Sequence, residues 1–118
     1  MNELIETIFA NWTVGGTLIP MKFLRYNGHG EPYVTYMQTD ADASLSGDDG
    51  LIGYADYYDF DVYSKGNYRA IIDDLTQKLV ENGFVWVVSR SSGDQYEDDT
   101  GYYHKTLTFG ILRGYENG

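Results

Sequence analysis

The chain predicts an α+β fold: a mixed, mainly antiparallel sheet of about five strands carrying two helices, in the order α-β-β-β-α-β-β. Three observations lead there. Residues 54–90, YADYYDFDVYSKGNYRAIIDDLTQKLVENGFVWVVSR, read as an aromatic-acidic strand, an amphipathic helix and a second strand. Residues 102–113 alternate apolar and polar with the period of a strand. Residues 2–12 place Leu4, Ile5, Ile8, Phe9 and Trp12 on one helical stripe.

In chain order, Asn2 is placed to cap the first helix, with Glu3 and Glu6 in its early turns. Gly15-Gly16 ends it. Residues 17–26 form a short strand that Pro20 demotes to an edge or delays. Residues 27–32, NGHGEP, are a turn, and 33–38, YVTYMQ, have strand composition. Residues 39–50, TDADASLSGDDG, are small, polar and acidic, and are expected to be a mobile loop.

Between 51 and 63 the period is two. Tyr58, Phe60 and Val62 share the face expected to meet the core. Tyr57, Asp59, Asp61 and Tyr63 share the other, expected to meet water or a neighbouring subunit. After Lys65-Gly66, Asn67 is a plausible N-cap. Tyr68, Ile71, Ile72, Leu75 and Leu79 make the buried stripe of the second helix, which Asn82-Gly83 stops. Phe84 to Arg90 is a nearly continuous apolar run, expected to be a central strand covered on both faces, at least in an assembly. Residues 91–101 are a second acidic loop. In 102–113, Tyr103, Leu107, Phe109 and Ile111 alternate with His104, Thr106 and Thr108, a half-buried antiparallel strand hairpinned with 84–90.

The length of 118 residues is that of a single domain, 1–118. No apolar run approaches the roughly 20 residues of a membrane span. MNELIETIF has no basic segment of the kind that opens a signal peptide. Cysteine is absent, so disulfides and thiolate metal sites are excluded. The net charge of −10 argues against nonspecific binding to nucleic acid or anionic membranes. The acids cluster. Glu31, Asp40, Asp42, Asp48, Asp49, Asp56, Asp59 and Asp61 stand between Arg25 and Lys65 with no base among them. Asp94, Glu97, Asp98 and Asp99 form a second knot. Charge runs are ordinarily solvated loops; the sharper reading is a surface that repels DNA or meets a basic partner. Twelve tyrosines suit half-buried sheets and interfaces.

Catalytic motifs are missing. His29 and His104 have no partner at metal-ligand spacing. Asp40-x-Asp42-x-Ser44 opens like a calcium loop, but Leu45 and Leu51 stand where the loop needs glycine and glutamate. Ser89, Ser91 and Ser92 lie in no nucleophile elbow. Residues 47–50 lack a phosphate-binding lysine. Asp73-Asp74 are helix neighbours that do not face each other. The expectation is a non-enzyme without cofactor or metal.

The layout resembles the tail terminator, or tail completion, proteins of long-tailed phages and prophages of Gram-positive bacteria. The matching features are the helix NELIETIF, the strand start Glu31-Pro32-Tyr33-Val34-Thr35-Tyr36, an acidic loop, the run YYDFDVYSKGNYRAIIDDLTQKL, Asn82-Gly83-Phe84 and the closing HKTLTFGIL. They span most of the chain as a pattern of elements. The resemblance implies a subunit of a ring, expected to be hexameric, made in the bacterial cytoplasm. The ring would cap the head-proximal end of the tail tube in the virion, end tube polymerisation and join tail to head. Its partners would be further copies of itself, the major tail tube protein and a head-closure or connector protein, with no membrane and no sequence-specific contact to nucleic acid. Tyr57, Asp59, Asp61, Tyr63 and Arg69 are the candidate subunit-interface or lumen residues. Asp40, Asp42, Asp48, Asp49, Asp94, Glu97, Asp98 and Asp99 are the candidate partner-binding residues. Two alternatives stand beside this reading: an acidic inhibitor that mimics DNA, and a neighbouring head-closure or connector protein.

Overall fold

The computed structural model describes residues 2–24, 32–47, 50–66, 68–87, 91, 93–97 and 101–113, with the backbone alone for 2, 40–47, 50–54, 97, 112 and 113. Two helices pack on a mainly antiparallel sheet, the expected class. The elements are α1 (Asn2–Ile8), β1 (Thr13–Val14), β2 (Thr17–Leu18), β3 (Met21–Phe23), β4 (Tyr33–Gly47), β5 (Gly50–Ser64), α2 (Arg69–Glu81), β6 (Phe84–Trp86), β7 (Gln95–Glu97) and β8 (Tyr102–Arg113). The main sheet runs β3-β4-β5-β8-β6, and β7 also pairs with β8. Among the described strands of this sheet, only the β3–β4 pairing is parallel.

The core lies on one sheet face. Tyr58, Phe60 and Val62 of β5 point into it, as their alternation predicts, with Val34 and Tyr36 of β4 and Leu107 and Phe109 of β8. Rings cross the strands in sequence: Phe23 against Tyr36 (5.5 Å), Tyr36 on Phe60 (6.0 Å) and Phe60 edge-on to Phe109 (5.7 Å). Ile71, Leu75 and Leu79 of α2 and Ile5 of α1 cover this belt. Trp12 joins the layers by donating its indole N–H to Asp74 Oδ2 of α2 at 2.5 Å.

Several expectations need correction. The first helix stops at Ile8 instead of residue 12, although Phe9 and Trp12 still reach the core. Gly15 and Gly16, at φ of 59° and 83°, turn the small β1–β2 hairpin instead of closing the helix. Both values lie in the left-handed region that favours glycine. Pro20 divides the predicted strand 17–26 into β2 and β3, which belong to different sheets. Tyr68 occupies the N-cap of α2 and, like Ile72, is half-buried against the core; Asn67, the expected cap, is outside the described residues. Asn82 and Gly83 stop α2 as expected, Gly83 with φ of 93°.

Three corrections are larger. Residues 39–47 and Gly50 are strand where a mobile loop was expected, with Gly47 opposite Gly50, while 51–53 are strand as expected. Backbone pairing with the opposite strand overrides the weak strand propensity of Asp, Ala and Ser. The expected loop 91–101 contains β7, paired to β8. Phe84–Trp86 is a three-residue edge strand of the sheet, not a central one. Only Phe84 is buried in it; Val85 is 66% exposed and Trp86 40%.

Candidate interaction surface

The sheet face opposite the helices carries four of the five candidate interface residues. Its rows follow from strand register. Tyr33, Tyr63 and His104 stand side by side on β4, β5 and β8, as do Thr35, Asp61 and Thr106, and then Met37, Asp59 and Thr108. In the next row Tyr57 stands opposite Gly110.

Each row has its own chemistry. In the first, Tyr33 stacks on Tyr63 (4.8 Å between centroids, 16° between planes) and Tyr63 on His104 (4.3 Å, 12°). Tyr102 meets Tyr33 and Tyr63 edge-on, and the Lys65 amine sits 5.3 Å above the Tyr102 ring. The near-parallel stack forms because register places the three rings directly opposite one another on neighbouring strands, within reach of each other. In the second row Asp61 Oδ1 accepts the Thr106 hydroxyl at 2.5 Å and lies 3.0 Å from His104 Nε2. In the third, Asp59 Oδ1 accepts the Thr108 hydroxyl at 2.6 Å. In the fourth, the Tyr57 ring covers Gly110, where an added Cβ would stand 3.0 Å from it.

Asp59 and Asp61 stand on the face away from the core, as expected, and are half-buried there. They lie along the sheet because β8 offers them hydroxyl donors one strand away. Thr108 is only 1% exposed and Thr35 7%, so the lower rows are an ordered polar layer. Ser91 extends that layer past β6. Its hydroxyl donates to the Val87 carbonyl at 3.0 Å and accepts from the Thr108 backbone N–H and the Trp86 indole, both at 2.9 Å.

Arg69 is not part of this face. It opens α2, on the other side of the sheet, and rims a small cleft with Tyr68, Ile72, Asp73, Asp94 and Lys105. A neighbouring cleft of about 440 Å³ is lined by Lys65, Gly66, Tyr68, Asp94 and Tyr103. Asp94 accepts the Tyr68 hydroxyl at 2.6 Å and lies 3.5 Å from the Lys105 amine. The hydrogen bond from Tyr68, and then the Lys105 charge, hold the Asp94 carboxyl below its ordinary range. Tyr68 is pushed up, first by burial and then by Asp94. Of the other candidate partner-binding residues, Asp40 and Asp42 stand on β4 and Glu97 on β7, while Asp48, Asp49, Asp98 and Asp99 lie outside the described residues.

Thr106 entered the sequence reading only as a strand position, and His104 as a strand position and a rejected metal ligand. Their alternation with Leu107 and Phe109 placed them on this face, but pairing of β8 with β5 was needed to bring them to Asp61. Among the described residues, no group of three His, Asp or Glu side chains is placed to hold a metal ion. No helix there is long and apolar enough to cross a membrane. No protein-family model and no curated protein matches the chain.

Proposed function

We propose that this chain is a structural subunit of a phage tail: a tail terminator that assembles into a ring, closes the head-proximal end of the tail tube and joins it to the head. The observation that carries the reading furthest is the β4–β5 hairpin. β8 pairs with β5 only as far as Tyr54, which lies opposite Ser44, so 45–47 and 50–53 continue as a two-stranded ribbon beyond the sheet. A lone ribbon is marginally stable in water. An arm of this kind gains its stability against another molecule, which is the requirement of a docking subunit. The resemblance in element order supplies the identity of that molecule, the tube protein. The acids Asp40, Asp42, Asp48 and Asp49 in the hairpin sequence favour a basic partner surface.

Incubation with purified tail tubes, viewed by negative-stain microscopy, tests the reading. The expected result is a ring at one end of each tube and an end to further growth. A variant in which residues 45–53 are replaced by a two-residue turn is expected to keep the fold and lose tube binding. Tubes that elongate unchanged beside excess folded wild-type protein would overturn the proposal.

A further inference from the structure

The sheet ends at β3 on one side and at β6, with β7 further along β8, on the other. The β6 edge carries exposed apolar side chains. Val85 and Trp86 are 66% and 40% exposed, and the Trp86 indole is already anchored to Ser91 Oγ at 2.9 Å. An exposed, pre-positioned tryptophan is the side chain most often found at the energetic centre of an interface. The β3 edge is concave. Beside it lies a groove of about 610 Å³ whose lining includes Phe9, Trp12, Leu18, Met21 and Phe23. Leu18 and Phe23, on its rim, are 59% and 46% exposed.

We infer that the groove at β3 receives the β6 edge of a second copy of this chain, so that subunits join head to tail through one continuous sheet. Strand sense agrees. β5, β8 and β6 each reverse the strand before them, so β6 runs against β4. β3 runs with β4. In a sheet continued from copy to copy with the same face on the core side, β6 therefore meets β3 antiparallel, the more stable pairing. The patches are different surfaces, so the contact is heterologous: it leaves one knob and one groove free at the ends until a ring closes. Closure rests on the terminator reading; the pairwise contact does not need it.

The test uses two variants of the full chain: Val85→Asp with Trp86→Asp at the knob, and Leu18→Asp with Phe23→Asp at the groove. Sedimentation velocity follows assembly up to about 1 mM, a range that registers even weak association. Wild type is expected to assemble, and each variant alone to stay monomeric with a circular dichroism spectrum like wild type. An equimolar mixture is expected to give a one-to-one dimer and nothing larger, since it holds one intact knob and one intact groove. A monomeric wild type, assembly by either variant alone, or a mixture that remains monomeric would overturn the inference. Should a double substitution unfold the chain, Val85→Cys and Leu18→Cys replace it. With no native cysteine, they are expected to cross-link on mixing more than either does with itself, and equal yields in all three samples contradict the contact. Assembly without tube binding sinks the terminator reading alone. Tube capping that survives both variants sinks the edge contact alone.

Discussion

At the residue scale, the polar layer behind the sheet is the least forgiving part of the chain. The Thr108 hydroxyl is buried and satisfies the half-buried Asp59 carboxylate. Thr108→Val keeps the shape and removes the donor. It is expected to cost about 1–3 kcal/mol, since the acceptor stays behind without this partner. Urea unfolding of Thr108→Val, Asp59→Asn and the double variant checks this: their effects should fall short of additive, as for groups in direct contact. Core tyrosines set a different limit. Burial, then Asp56 and Tyr36, push the Tyr58 hydroxyl up from 10.0 to about 12. The folded state thus holds its proton more tightly than the unfolded chain. The associated stability is intact below pH 10 and is lost as pH rises towards 12. The loss is roughly 2–3 kcal/mol for a shift of that size. Denaturant midpoints measured across that window should fall, and phenolate absorbance of Tyr58 should appear with unfolding. Tyr58→Phe is expected to flatten the fall.

At the element scale, two glycines separate backbone strain from crowding. An added Cβ at Gly83 or Gly66 meets nothing within 4 Å. Gly83 sits at φ +93°, while Gly66 has no positive φ. Gly83→Ala is therefore expected to destabilise by about 1–2 kcal/mol through strain at the end of α2. Gly66→Ala is expected to be neutral or to stabilise by up to about 1 kcal/mol, by restricting the unfolded chain. Thermal melts of the two variants should shift in opposite directions or leave only Gly83→Ala displaced. These elements also show how far the sequence could be read. The α2 stripe of Ile71, Leu75 and Leu79, its stop at Asn82-Gly83, and the inward run of Tyr58, Phe60 and Val62 were legible, because local periodicity and burial coincide there. The strand character of 39–47 was not, because acidic and small residues become strand through pairing with β5, a non-local cause. The edge position of β6 was hidden for the opposite reason. An apolar run reads as buried strand, and nothing local says that its partner lies on one side only. The tie from Asp61 to His104 and Thr106 required the β5–β8 register, which no spacing within either strand contains.

At the scale of the whole molecule, the hairpin sets the outline. The extents are 48 × 27 × 23 Å, and the Cα radius of gyration is 15.3 Å. A compact chain of this length has a radius near 13–14 Å, and a 15-residue strand spans about 50 Å. The long axis therefore has the length of β4 and β5. Protection should follow the same axis. Amides of β5 that face both β4 and β8 are expected to exchange slowest in the isolated subunit, and those of 45–47 and 50–53 fastest, because that ribbon opens without disturbing the core. Hydrogen exchange read by mass spectrometry would show a gradient along the molecule. Slow exchange in this ribbon that appears only on assembly would locate a partner there. Uniform protection in the free subunit would mean that the arm needs no partner at all.

The two tryptophans occupy opposite situations, and this makes the protein its own optical instrument. Trp12 is 3% exposed, with its indole N–H on the Asp74 carboxylate, while Trp86 stands on the open sheet edge. The first should emit in the blue and resist a water-borne quencher until the helices leave the sheet. The second should emit further to the red and quench at once. Loss of quenching from Trp86 alone would record an event at the edge, and gain of quenching at Trp12 would record the opening of the core, in one cuvette and without a label.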